Sequence, residues 1–314
     1  MTTATALYHL NFLQAIVIGL IQGLTELFPI SSLGHTVLIP SWLGGTWATL
    51  VQQESRSESP YLAFVVGLHL ATALVLLGFY VRVWIRLIRG FFQSLVRRRV
   101  ETDDERLAWL IVVATVPVGL LGLIFEHQFR VLFAKPLAAA LFLAANGVIL
   151  LAGERYRRHR QPQGEAASHR QSGDAQRVDI DPAATRELAS IGLASAGIIG
   201  ASQALALLAG ISREGVAMVG GLFRGLSNEN AMRFSFLLST PVILAAGALK
   251  VPDLLGPLGN GIRPQVMAGA AAAALASILA ITFLSRYFKT RTLIPFGIYC
   301  LAFGIASSIR FGLF

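Results

Sequence analysis

The hydrophobic positions of this chain fall into ten runs, at about residues 10–28, 33–50, 61–81, 107–126, 137–153, 188–207, 213–226, 230–250, 265–285 and 293–313. Most of them approach the roughly 20 residues with which a helix crosses a bilayer core. Helix is the expected state for all ten, because a backbone in lipid has to satisfy its own hydrogen bonds. Two of the runs, 33–50 and 213–226, are short and flanked by Gly, Pro and Ser, which makes them poor full spans. Polar stretches interrupt the pattern at 82–106, 154–187 and 286–292. The stretch 154–187 is rich in Arg, Gln, Ser and Gly and nearly devoid of large apolar side chains, so it reads as a disordered linker between two halves.

The two halves repeat one another. GLIQGLTELFPISSLG (19–34) aligns with GASQALALLAGISREG (200–215) at one constant offset, pairing Gln22 with Gln203, Ile30 with Ile211, Ser31 with Ser212, Ser32 with Arg213 and Gly34 with Gly215. Each half reads as a pair of short segments followed by three spans. An odd number of crossings inserts the second half upside down, which is the inverted-repeat pattern. The expected fold is an all-α polytopic membrane protein. Residues 1–153 form the first inverted repeat (a re-entrant hairpin over about 10–50, then three spans), 154–187 a cytoplasmic linker, and 188–314 the second repeat (a re-entrant hairpin over about 188–226, then three spans). That makes two re-entrant hairpins and six transmembrane helices, with hairpin tips near Ser31–Ser32 and Ser212–Arg213. Non-helical backbone at membrane depth is tolerated where it lines a polar cavity.

Composition supports the membrane reading: 54% of residues are apolar and 14% charged, against about 25% charged in soluble domains. The net charge of +9 would suggest nucleic acid, were the cations not gathered in the three polar stretches. Runs such as Arg97–Arg99 and Arg157–Arg160, with Arg286, Lys289 and Arg291, follow the positive-inside rule. All three stretches therefore belong in the cytoplasm, both termini outside, and nucleic acid is not an expected partner. Cys300 is the only cysteine, which excludes an internal disulfide and a Cys-based metal site. MTTATALYHL carries no basic residue ahead of the first apolar run, so no cleaved signal peptide is expected.

The chemistry concentrates at the tips. Glu26, Ser31, Ser32 and His35 lie within ten residues of an apolar run broken by Pro29 and Gly34. Ionisable groups at that depth cost roughly 2.5–3.5 kcal/mol on insertion scales and mark function by default. Gln22 and Glu26 share a helix face, and Pro29 favours a helix break. The second tip adds Gly210, Ser212, Arg213 and Glu214. A guanidinium grips phosphate bidentately, and helix N-termini present N–H groups to anions. Together these are the parts of phosphoryl transfer: charge clamp, nucleophile or held water, and acid–base groups. Plainer readings stand beside this one. Ser31 caps a helix, His35 is a satisfied interior histidine, Glu26 and Arg213 form a structural ion pair, and His69 and Asn146 are structural polar groups on apolar spans.

These residues resemble the undecaprenyl-pyrophosphate phosphatase, or bacitracin-resistance, family. Gln22, Glu26 and PISSLGH (29–35) match its first motif, and AGISREGVA (209–217) its second, close to Pro-Gly-x-Ser-Arg-Ser-x-x-Thr. RFSFLLSTPVILAAG (233–247), LIPFGIYCLAFG (293–304) and HLATALVLLGFY also look like family signatures. Ala209, Glu214 and Ala217 depart from the second motif. The resemblance implies an undecaprenyl-diphosphate phosphatase, a hydrolase of a phosphoric anhydride, that recycles the lipid carrier for peptidoglycan. It also implies a divalent cation (Mg2+ or Ca2+) and a site opening to the outer face of the bacterial plasma membrane.

The expected roles are these. Arg213 and the cation grip the pyrophosphate, with Glu26 as metal ligand or base and Gln22 orienting it. Ser32 is the nucleophile, unless metal-activated water attacks directly, and His35 is its acid–base partner. Ser31, Ser212 and Gly210 bind substrate, and Glu214 is a weaker metal candidate. Expected partners are the prenyl pyrophosphate and membrane lipids, with a homodimer as the assembly left open. The rival readings are a flippase for a polyprenyl phosphate and a catalytically degenerate lipid-binding homologue.

Overall fold

A computed structural model describes residues 10–54, 60–133, 135–160, 180–256 and 259–313; every structural statement below is made of these residues. They form helices and no strand. The first half comprises α1 (Phe12–Leu27), α2 (Ser32–Leu43), α3 (Gly45–Glu54), α4 (Pro60–Phe79), α5 (Val81–Arg97), α6 (Asp103–Phe133) and α7 (Pro136–Arg160). The second comprises α8 (Pro182–Ala189), α9 (Leu193–Ser202) with a 3₁₀ turn over Gln203–Leu207, α10 (Arg213–Phe223), α11 (Asn228–Leu255), α12 (Arg263–Tyr287) and α13 (Ile294–Leu313). Five helices are long and apolar enough to cross a bilayer, and up to seven if α4 with α5 and α8 with α9 each count as one bent span. The protein is an all-α, multi-pass membrane protein.

Three expected boundaries move. The run 33–50 breaks at Gly44 and Gly45, whose positive φ values of 69° and 52° end α2 in a conformation that suits glycine. The stretch 82–106 is mostly helix, not loop: α5 turns 81° from α4 and buries Val83, Leu87, Gly90 and Ser94. That three-and-four spacing is an amphipathic signature, hidden by the Arg residues between. The linker is shorter than 154–187: α7 runs on to Arg160, and α8 starts at Pro182 under an Asp181 cap. The disorder expected of the linker's centre, 161–179, lies outside the described residues.

Small residues bring the helices together. A side chain at Gly19 or Gly23 of α1 would strike the carbonyls of Gly269 and Ala273 on α12, and one at Gly200 of α9 would strike the Ala114 carbonyl of α6. Backbones in a bilayer pack this closely only across such residues. The basic segments gather at one end of the bundle. Arg86 donates to the Ile180 carbonyl at 3.0 Å, Arg186 pairs with Asp103 at 3.6 Å, and Asn228 donates to the Arg291 carbonyl at 3.2 Å. Leu13, Leu123, Ile198 and Leu275 are exposed on the outside, as expected of a lipid-facing surface. Gln22, Glu26, Ser32, Asn146, Ser212 and Glu214 are buried inside.

Candidate active site

Two helix breaks face each other in the interior. α1 ends at Leu27, Phe28 is extended, and Ser31 caps α2 by accepting the Gly34 N–H at 3.2 Å. Ser31 holds φ at +69°, a region uncommon for a residue with a side chain. In the second half Gly210 turns the chain at φ +115°, and Ser212 caps α10 by accepting the Gly215 N–H at 3.0 Å. The tips touch: the Gly210 N–H donates to Ser31 Oγ at 3.1 Å. A side chain at Gly210 would run into the Ala139 carbonyl and the Leu143 amide. Asn146, fully buried on α7, clasps both tips, donating to the Pro29 carbonyl and accepting the Ser212 N–H, each at 3.0 Å.

Glu26 is the centre of the charged array. It is only 3% exposed. Ser32 Oγ donates to its Oε2. Gln22 Nε2 lies 3.4 Å from the same oxygen, and His69 Nδ1 lies 3.2 Å from it. Arg213 Nη2 stands 3.9 Å from Oε1. Arg213 Nη1 is buried and makes no hydrogen bond to a described residue. Glu214, next in the chain, is buried, accepts from Ser239 Oγ at 2.8 Å, and has Glu26 and Arg213 as its charged neighbours. A hydroxyl, a carboxylate and a guanidinium from opposite halves thus converge on one point. That array can abstract a proton from Ser32 and hold an anion beside it.

The comparison with known families is decisive. The family model described as "Bacitracin resistance protein BacA" matches residues 15–306. The chain belongs to the BacA family. Among the similar proteins is Undecaprenyl-diphosphatase 2 of Frankia alni, 53% identical across 98% of this chain and 100% of that one. Undecaprenyl-diphosphatase of Mycolicibacterium paratuberculosis is 54% identical across 96% of this chain and 97% of its own. Undecaprenyl-diphosphatase 2 of Chromobacterium violaceum is 41% identical across 94% and 97%.

Within this BacA-family chain the site residues read from the sequence are not all brought together. Gln22, Ser32 and Arg213 share the Glu26 carboxylate. Ser31, Ser212 and Gly210 form the junction of the tips, their caps and amides bound to one another. His35 is turned toward α13. Its Nδ1 donates to the Ser31 carbonyl at 2.7 Å, so its Nε2 accepts from Tyr299 Oη at 2.8 Å in the neutral ring. It stacks on Tyr299 with centroids 5.6 Å apart, and no hydrogen bond to Glu26 or Ser32 is among its contacts. His69 and Asn146, set aside as structural in the sequence, reach the site instead. Lone polar groups on apolar spans were their only signal, and that signal says which residues face the interior without saying what they meet. Among the described residues no three His, Cys, Asp or Glu side chains form a metal cage. Glu26 and Glu214 nevertheless fit a hard cation of the magnesium kind, which is held by one or two carboxylates together with substrate phosphates.

Proposed function

We propose that this chain is an undecaprenyl-diphosphatase. It removes the terminal phosphate of undecaprenyl pyrophosphate and returns undecaprenyl phosphate for peptidoglycan synthesis. The relatives' names and the near-complete coverage support the substrate. The observation that carries the chemistry is the convergence on Glu26 of the Ser32 hydroxyl and the Arg213 guanidinium.

Glu26 takes the Ser32 proton as the hydroxyl oxygen attacks the terminal phosphorus. The anhydride P–O bond breaks, and undecaprenyl phosphate leaves with the electron pair. Water then cleaves the phosphoserine and regenerates Ser32. Arg213 neutralises charge on the non-bridging oxygens, where preorganised electrostatics does most of the work in phosphoryl transfer. Glu26 with Glu214 would hold a Mg2+ or Ca2+ ion, which would add to the neutralisation of the pyrophosphate. Gln22 orients Glu26. His35 holds tip one to α13, and any proton it exchanges involves its bond to Tyr299. The prenyl chain lies between apolar helices, so that only the headgroup reaches the tips.

The two halves are an inverted repeat. Gly19 and Gly200, which occupy equivalent repeat positions, each let the first hairpin helix of a half approach the second full span of the other half. Ser31 and Ser212, also equivalent, cap α2 and α10 through the same three-residue hydrogen bond. The basic end of the bundle is cytoplasmic in a bacterial plasma membrane, which directs the first hairpin to the outer face. The test is phosphate release from undecaprenyl pyrophosphate by purified protein in detergent, with and without magnesium. Turnover stimulated by magnesium is expected. A flippase or a degenerate homologue would release no phosphate.

A further inference from the structure

One member of the buried array belongs to neither motif. His69 comes from the middle of α4, yet its Nδ1 lies 3.2 Å from Glu26 Oε2 and 2.9 Å from Gln22 Nε2. Its side chain is 16% exposed, so it borders the site and is not sealed in the core. The neighbouring motif histidine is unavailable for this place, because both nitrogens of His35 are taken by Ser31 and Tyr299.

The geometry constrains what His69 does. An imidazole nitrogen has one hydrogen or one lone pair to offer. As a donor, Nδ1 holds Glu26 Oε2; as an acceptor, it takes the Gln22 N–H and fixes the amide beside that oxygen. Either way Gln22, His69 and Glu26 close a triangle on the Oε2 side of the carboxylate. That triangle keeps Oε2 against the Ser32 hydroxyl and leaves Oε1 facing Arg213. We propose that His69 is the positioning residue of a Ser32–Glu26–His69 array. The carboxylate occupies the middle place that histidine takes in a serine hydrolase triad, and the imidazole does the orienting. This rests on the phosphatase reading given above.

The test compares steady-state phosphate release by wild type, His69→Ala and His69→Gln in detergent at one pH. For His69→Ala, kcat is expected to fall about 10- to 100-fold, the usual loss when an orienting partner is removed, with KM within about threefold of wild type. His69→Gln, whose amide can still reach the carboxylate, is expected to recover most of that loss. A role in packing alone would not separate Ala from Gln in kcat while sparing KM. Should His69→Ala aggregate, His69→Met against His69→Gln makes the same comparison at nearly constant volume, with Met expected to behave as Ala. An active wild type with His69→Ala (or His69→Met) within threefold of it in kcat overturns the proposal and leaves the phosphatase reading standing. So does a His69→Gln as slow as the Ala or Met variant. A wild type without phosphate release overturns the phosphatase reading itself.

Discussion

The two tips are built alike and equipped differently. Each is a helix break followed by a serine that caps the next helix three residues on. At tip one the preceding helix stays regular to Leu27 and carries Glu26, and the cap is followed by Ser32. At tip two the preceding helix tightens into a 3₁₀ turn at Gln203–Leu207, the position equivalent to Glu26 is Leu207, and the cap is followed by Arg213. One tip carries a carboxylate and a hydroxyl bound to each other; the other carries the positive charge. The two tips share the serine cap and differ in the residue that follows it.

The strongest way to break this contrast is to remove the distinguishing group from each tip. Glu26→Ala and Arg213→Ala are each expected to lower kcat/KM by about 10³-fold or more, the scale on which electrostatic and acid–base groups act, with helix content by circular dichroism unchanged. Wild-type-like turnover in either variant would falsify the division of labour. A sharper comparison sets Ser32→Ala against Ser212→Ala. The first should lose about 10²-fold or more in kcat as a nucleophile. The second removes a cap, and should lose only about 1 kcal/mol of stability and a few-fold in rate; equal losses would mean that Ser32 too is scaffold. A third comparison is Asn146→Leu, which leaves both tips intact and removes the clasp between them. It leaves the Pro29 carbonyl and the Ser212 amide without their partner, so a fall of about 1–3 kcal/mol in stability is expected, read as a lowered midpoint of thermal unfolding, with roughly a tenfold slower rate. A melting curve and rate both matching wild type would remove Asn146 from the junction.

Much of this was legible in the chain. The apolar runs gave the spans, and the polar anomaly at 26–35 with its partner at 212–214 gave the two tips. What escaped has physical reasons. α5 is amphipathic, so a search for uniform apolar runs passes over it while its 83, 87, 90, 94 spacing records it. α7 continues into an Arg run because helix propensity and solvated charge do not conflict. The rotation of His35 toward Tyr299, 264 residues away, depends on how α2 packs against α13. Glu214 finds Ser239 across two helices, a pairing no local pattern encodes. His69 is the plainest case: burial was readable from an apolar span, but its neighbour was fixed only when α4 met α1.

The clasp between the tips bears on the rival idea of a lipid carrier. Rocking one half against the other is the usual way an inverted repeat moves cargo. In this chain such a swing would break Gly210 N–H from Ser31, pull Asn146 from Pro29 or from Ser212, and draw Arg213 away from Glu26. The conformation that hydrolyses is therefore one that cannot ferry. If the chain also carries lipid, it does so on a separate stroke, with its catalytic machinery taken apart.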